Sequence, residues 1–285
     1  MSVSEEVNAP VALAVAEKEH NLRGLMREME SVLVAFSGGV DSSYVALIAT
    51  QELGAKAACV MGVSPSVSQV ERAEAERIAA EFGFNFATVP TYELDNPNYA
   101  ANPANRCYFC KSELYEKLNA VAAEKNIKFV VDGSNTDDMS DFRPGKKAAR
   151  EYGVRSPLVE VGLSKSELRE LSRRQNLPTW DKPASPCLSS RIAYGVPVSI
   201  ERLGKVERGE QILREAGFRE FRVRVHGELV RLEIAPREME YILRKEMTDR
   251  IADAFQTLGF RYITLDLHGY RTGAMNEILD KSRET

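Results

Sequence analysis

The chain is poor in the residues and runs that mark several specialised classes of protein. Its 285 residues include four cysteines and three histidines. Four cysteines in a chain of this length do not make a disulfide scaffold. The reading is therefore of a reduced, cytoplasmic protein in which each cysteine needs its own explanation. His20, His226 and His268 are scattered without metal-ligand spacing, and no chemistry is assigned to them. No apolar run approaches the roughly 20 residues that cross a bilayer. The apolar stretch 11–16 is short and follows Glu5 and Glu6, where a secretory signal would carry positive charge. Neither sign of charge dominates: 38 Lys and Arg against 42 Asp and Glu leave a net charge of −4. Such a balance supplies no bulk attraction to nucleic acid or anionic lipid, so neither is expected as a partner. Repeats of 20–50 residues and low-complexity segments are absent.

What is present is an ordinary globular composition, 44% hydrophobic and 28% charged, able to bury a core. From residue 31 a pattern repeats. Short apolar runs at 31–36, 57–61, 85–89 and 129–131 alternate with helical stretches at 42–53, 68–82 and 108–125, after an opening helix at 16–30. Gly54 and Gly83 stand where helix C-termini need them. Alternation of this kind implies βαβ units and a parallel sheet, and such sheets bind ligands beyond the carboxyl ends of their strands. After about residue 190 the texture changes to a helix at 199–216, strands at 221–225 and 229–234 joined at Gly227, helical sequence from Pro236 to residue 258, and a strand at 261–267. The expected organisation is a flexible N-terminus (1–15), an α/β domain (16–189) and a smaller α+β domain (190–285), joined through the Pro- and Ser-rich stretch 178–195.

The strongest local signal is Ser37-Gly38-Gly39-Val40-Asp41-Ser42-Ser43, directly after a strand and before a helix. Glycines permit a tight turn and close approach to an anion, and the helix start offers backbone N–H groups to phosphate. Ser37, Ser42 and Ser43 add hydroxyls. Asp41 fits a phosphate nest if it holds Mg²⁺ or orients the loop. Five such positions match by chance roughly once in a few thousand chains of this length, which favours function over a plain strand–turn–helix corner. No lysine follows the glycines, so this is not a Walker A loop. The string resembles the PP-loop of the ATP pyrophosphatase superfamily, which splits ATP into AMP and pyrophosphate and activates a carboxylate or carbonyl oxygen by adenylation.

Further strings narrow the resemblance. They are Asp132-Gly133-Ser134-Asn135-Thr136-Asp137-Asp138 with Asp141-Phe142-Arg143-Pro144-Gly145; Trp180-Asp181-Lys182-Pro183-Ala184-Ser185-Pro186-Cys187-Leu188-Ser189-Ser190-Arg191; and Phe221-Arg222-Val223-Arg224-Val225. With the PP-loop they resemble the LarE family, ATP-dependent sulfur transferases of nickel-pincer cofactor biosynthesis, from about residue 31 to 276. The resemblance implies a PP-loop (adenine nucleotide alpha hydrolase-like) domain and a small-molecule nucleotide substrate, pyridinium-3,5-biscarboxylic acid mononucleotide, whose carboxylates are adenylated and converted to thiocarboxylates. It also implies a homo-oligomer.

On their own chemistry, Gly133 would let ribose or adenine lie against backbone, while Arg143 and Lys111 are candidate phosphate or pyrophosphate ligands. Cys187 stands near Arg191, and a neighbouring guanidinium favours the thiolate. That thiolate would attack the adenylated carboxylate. Arg222 and Arg224 share one face of a strand and suit phosphate as paired forks; the resemblance implies that, with Ser190 and Arg191, they hold the substrate phosphate. Glu210 matches a glutamate important in the family and is read as a base or substrate orienter. Solvated strand and loop faces are the plain alternatives for these charged residues.

Two readings of the sulfur source stay open. In the sacrificial form of the family the sulfur comes from Cys187 itself, leaving dehydroalanine. This chain adds Cys107-Tyr108-Phe109-Cys110 at a helix start on the ligand side of the sheet. Cys107, Cys110 and Cys187 make three thiolates, one short of a closed zinc site and suited to a [4Fe–4S] cluster with one iron lacking a protein ligand. ATP, Mg²⁺ and this cluster are the expected cofactors, with an external sulfide source or sulfur donor. A structural zinc or redox disulfide is the weaker use of the CxxC pair, and Cys59 reads as core. A tRNA thiolase, an amide-forming synthetase and a non-catalytic nucleotide sensor remain as other classes.

Overall fold

The computed structural model describes residues 9–140, 144–183 and 185–271. Two compact units divide the chain, and each draws on separated stretches of it. The first comprises 1–64, 69–92 and 107–185; the second comprises 65–68, 93–106 and 186–285.

In the first unit, α1 (Ala9–Met29), β1 (Val32–Ala35), α2 (Val40–Leu53), β2 (Ala57–Val63), α3 (Gln69–Glu81) and β3 (Asn85–Pro90) alternate along the chain. A parallel sheet of order β3-β2-β1-β4 results, with β4 at Phe129–Val131. Its register pairs Val32 with Ala57 on one side and with Phe129 on the other. Val32, Leu33, Val34, Ala57 and Cys59 are wholly buried, as a central parallel strand covered on both faces requires. Helix α2 is apolar nearly all round and buried from Ser42 to Ala49, which places it inside; it packs on β1 and β2 and against α1 and a later helix, Lys165–Arg174. Helix α1 turns Leu22, Met26 and Met29 into this core, an i, i+4, i+7 stripe. It begins at Ala9, earlier than the sequence suggests, because a proline such as Pro10 costs little within the first helical turn.

The chain leaves β1 toward β2 and β3, then returns to the other side of β1 for β4. The strand order therefore reverses between β1 and β4, the position at which open α/β sheets bind ligands. Arg155 continues the sheet beyond β4: its N–H donates to Val130 and its carbonyl accepts from Asp132.

Helix α5 (Arg106–Glu124), after the short α4 (Pro97–Ala100), leads into β4. Then follow α6 (Gly145–Glu151), α7 (Pro157–Glu160) and α8 (Lys165–Arg174). Helix α8 opens with a capping box between Ser164 and Glu167, a Ser-x-x-Glu signature that is legible in sequence.

The second unit contains α9 (Ile200–Glu215), the antiparallel hairpin β5 (Phe221–His226) and β6 (Leu229–Ile234), α10 (Met239–Ile242), α11 (Lys245–Thr257) and β7 (Tyr262–Leu265), with sheet order β5-β6-β7. Ser199 caps α9 by accepting from Arg202 N–H. Leu203, Val206 and Leu213 of α9 and Met247, Ile251 and Phe255 of α11 are buried. Gly209 makes room for Phe255, whose ring would sit 2.9 Å from any Cβ there. The helical run expected from Pro236 to 258 is broken: Arg244 takes an extended conformation (ψ 136°), so α10 and α11 are separate helices. No described helix is long and apolar enough to cross a membrane.

Candidate active site

In the first unit the PP-loop follows β1 at the switch point. Gly39 occupies the N-cap of α2 without a side-chain cap, so the first backbone N–H groups of the helix remain available to an anion. Ser37 and Ser42 hydroxyls lie 3.0 Å apart, Ser42 Oγ accepts from Ser37 N–H at 3.2 Å, and Ser43 N–H donates to the Gly39 carbonyl at 3.0 Å. Gly38 has φ +69°, and a Cβ on it would lie 2.8 Å from Ala75 Cβ on α3. Asp41 Oδ2 takes the Lys165 ammonium at 2.6 Å. Its Oδ1 is buried and has no hydrogen-bond partner, as does Ser43 Oγ.

Lys165 and Lys182 are residues that sequence reasoning missed. Lys182 donates to the Gly38 carbonyl at 3.3 Å and to Glu71 and Glu74 at 2.8 Å each, tying the loop to α3. Nothing in the sequence links Lys165 to Asp41, 124 positions away, although the capping box marks the helix that carries it.

The loop after β4 lies against the PP-loop. A Cβ on Gly133 would meet Ser42 N at 2.7 Å, Ser42 Cα at 3.0 Å and Asp41 C at 3.1 Å. Protein backbone thus occupies the space beside Gly133 on that side. Asp132 is buried and accepts from Ser134 N–H and Oγ, Ser156 Oγ and Tyr115 Oη, at 2.7–3.1 Å. Asn135 and Asp138 are buried too, the Asp138 carboxylate accepting Asn135 N–H at 3.1 Å. These polar side chains hold the loop. Arg143, with Asp141 and Phe142, lies outside the described residues.

Cys107 and Cys110 occupy the first turn of α5, exposed and half-buried respectively. Their i, i+3 spacing puts both on one helix face. Lys111 Nζ lies 5.3 Å from the centre of the Tyr115 ring. The Tyr115 oxygen, then Asp132 and the two thiols, raise the Lys111 ammonium above its ordinary pKa against the opposing effect of burial. Cys59 is core, its thiol pushed up to about 12 by burial alone.

In the second unit, Cys187 is exposed at the head of a short 3-10 turn, Leu188–Arg191. Its carbonyl accepts from Ser190 N–H at 2.9 Å, Ser190 Oγ at 2.7 Å and Arg191 Nη1 at 3.1 Å. Arg191 also donates to the Pro186 carbonyl. The guanidinium forks onto Glu210 at 2.8 and 3.3 Å, with side chains 4% and 10% exposed. Arg224 Nη1 donates to the Ser190 carbonyl at 3.0 Å, and Nη2 lies 2.9 Å from Glu233. Arg222 stacks over Tyr270, 4.9 Å from the ring centre. Burial first, then the neighbouring Arg191 charge, holds the Arg222 guanidinium below its ordinary pKa, while Tyr270 and Glu210 oppose this. Cys187, Ser190, Arg191, Glu210, Arg222 and Arg224 thus gather in one unit, while the PP-loop, Lys111, Gly133, Cys107 and Cys110 belong to the other. Among the described residues, no group of three or more His, Cys, Asp or Glu side chains is drawn together as a metal site.

The arrangement can bind a polyphosphate at an uncapped helix start and presents an exposed thiol on a turn built over buried arginines. The NAD synthase family matches residues 15–117, the stretch that contains the PP-loop. An uncharacterised protein of Synechocystis is 45% identical over 93% of this chain and 98% of its own length. The pyridinium-3,5-bisthiocarboxylic acid mononucleotide synthase of Lactiplantibacillus plantarum is 35% identical over 94% of this chain and 97% of its own length. A GMP synthase of Thermotoga maritima is 24% identical over 75% of this chain and 44% of its own. Identity at this level along nearly the whole of two relatives, together with a PP-loop at the sheet's switch point, means that the chain belongs to the LarE family of ATP-using PP-loop enzymes.

Proposed function

We propose that the protein adenylates a carboxylate of pyridinium-3,5-biscarboxylic acid mononucleotide and converts it to a thiocarboxylate. The observation that carries this reading is the turn at Cys187: an exposed thiol above a buried Arg191–Glu210 pair, in a chain with an uncapped PP-loop helix. A substrate carboxylate oxygen attacks the α-phosphorus of ATP, and pyrophosphate leaves with the electrons of the broken P–O bond. Ser37, Gly38, Gly39, Ser42 and Ser43 hold the pyrophosphate through backbone N–H groups and hydroxyls, assisted by Lys111 and Arg143. The unpartnered, buried Asp41 Oδ1 fits a Mg²⁺ ligand, and the metal would offset phosphate charge. Ser190, Arg191, Arg222 and Arg224 hold the substrate phosphate, and Glu210 keeps Arg191 in place.

Sulfur then attacks the acyl carbon and AMP departs. Three thiols, two of them exposed and two within one helical turn, have the donor chemistry for an iron–sulfur cluster. Cys107, Cys110 and Cys187 would hold it, and it would supply hydrosulfide at an iron without a protein ligand, reloaded from an external sulfide source. In the sacrificial course, Cys187 sulfur forms a thioester. Loss of the Cys187 Cα proton then breaks its Cβ–S bond, releasing the thiocarboxylate and leaving dehydroalanine. The smaller domain, 190–285, serves substrate binding and homo-oligomer contacts.

The test is metal and sulfide analysis on protein purified without oxygen, beside product analysis. About four irons and four acid-labile sulfides per chain, lost in Cys107→Ala, are expected, with repeated turnover. Dehydroalanine at 187 after a single turnover, seen by mass spectrometry, would assign the sulfur to Cys187 itself. Absence of pyrophosphate release that depends on the pyridinium substrate would overturn the assignment of the reaction.

A further inference from the structure

The turn that carries Cys187 is anchored by side chains from a distant part of the chain, and every one of them lies within the second unit. Ser66, Tyr99 and Ser189 are buried, Tyr99 to 1% and Ser189 to 0% exposure. Their hydroxyls form a closed triangle: Ser66 to Tyr99 at 2.8 Å, Tyr99 to Ser189 at 2.6 Å and Ser189 to Ser66 at 3.1 Å. A head-to-tail ring lets each hydroxyl donate once and accept once, and such rings polarise cooperatively in a buried setting. Ser189 lies two residues after Cys187, and Leu188 N–H donates to the Ser66 carbonyl at 2.9 Å.

A second set of bonds from the same excursion, residues 93–106, grips the other end of the turn. Asn102, buried and left-handed at φ +57°, donates to the carbonyls of Ala193 and Val196 at 2.8 Å each. Arg106 donates to the Ser189 carbonyl at 3.0 Å and to Asn102. A surface turn needs no buried hydroxyl ring to exist. One that must hold a reactive thiol within a fraction of an ångström does, because a misplacement of about 1 Å costs on the order of a hundredfold in rate.

We infer that Tyr99 is a positioning residue for the sulfur-transfer step, acting through Ser189 to fix the thiol of Cys187. This rests on the assignment of Cys187 to the sulfur-transfer step, whether as cluster ligand or as the sulfur source. Tyr99→Phe, Ser189→Ala and the double variant are compared with the wild-type enzyme, with pyrophosphate release and thiocarboxylate formation measured separately. Tyr99→Phe keeps the ring and removes the hydroxyl. Thiocarboxylate formation should fall about tenfold while first-turnover pyrophosphate release stays within about twofold. The double variant should be no slower than the slower single one, because both act through the same bond.

A third readout needs no substrate. Alkylation of Cys187 by iodoacetamide on the protein stripped of metal, read by mass spectrometry, should quicken about threefold or more in Tyr99→Phe as the turn loosens. Equal loss in both half-reactions, multiplicative effects in the double variant, or unchanged alkylation would each overturn the positioning role. Failure of the wild type to release pyrophosphate, with alkylation responding as expected, would instead sink the assigned reaction and leave Tyr99 as an anchor of the turn.

Discussion

Replacing Gly133 with alanine is expected to abolish ATP cleavage. The new methyl would lie 2.7 Å from Ser42 N, 3.0 Å from Ser42 Cα and 3.1 Å from Asp41 C. All three are backbone atoms in the first turn of the PP-loop helix, so no side chain can swing away to relieve the contact. Gly133 is not among the positive-φ glycines, so alanine brings no backbone strain and the clash alone is tested. Overpacking of this kind destabilises by about 1–3 kcal/mol, and the relief available is a shift of the very N–H groups proposed to receive phosphate. Substrate-dependent pyrophosphate release should fall by about a hundredfold or more, with thermal unfolding lowered modestly. Gly39→Ala is the control within the loop. Its Cβ would meet nothing closer than Ser37 Oγ at 3.4 Å, and its backbone is extended, so it should fold as the wild type does. ATP cleavage by Gly133→Ala within twofold of wild type would show that the close approach of the two loops is not needed.

Glu210→Gln should be among the most destabilising single changes in the second unit. The Glu210 carboxylate neutralises Arg191 in a buried fork, and, after Tyr270, it helps offset the repulsion of Arg191 and Arg224 felt at Arg222. Breaking one side of a buried pair costs about 3–5 kcal/mol, because the remaining charge is left without compensation. Glutamine keeps the volume and one acceptor and removes the charge, so the loss reads electrostatics more than packing. Urea unfolding of the two proteins side by side is the measurement. Thiocarboxylate formation should fall with it, since Arg191 holds the carbonyls of Pro186 and Cys187. Added phosphate should restore part of the lost stability by seating an anion among the arginines. A change under about 1 kcal/mol would mean that Arg191 is compensated elsewhere.

The elements that were legible in the sequence are those whose local signals agree. The strand at 32–35 and helix from Val40 were readable because an apolar run meets Gly-Gly and a second apolar run of helical length. The hairpin of β5 and β6 was readable from alternation across Phe221–Ile234 with Gly227 at the turn. The break at Arg244 was not, since 239–257 is good helical sequence throughout and the interruption is a matter of how α10 and α11 pack. The Asp-rich loop after β4 was read as ligand-facing or solvated. In the folded chain Asp132 and Asp138 are buried structural acceptors; Asp138 takes the nearby Asn135 N–H, while Asp132 takes distant donors at Ser156 and Tyr115 that no local pattern reveals.

The sequence by itself determined the alternation of strands and helices between residues 31 and 131, the PP-loop at 37–43 and the family, because each of these rests on adjacent residues or on identity along the whole chain. Tertiary structure alone decided which charges meet. Lys165 reaches Asp41 across 124 positions, Lys182 reaches Gly38 across 144, and Tyr99 reaches Ser189 across 90. Periodicity and capping are short-range and follow from backbone geometry. A buried polar contact forms where the fold leaves a donor facing an acceptor away from water, and that pairing exists only once the chain has closed on itself.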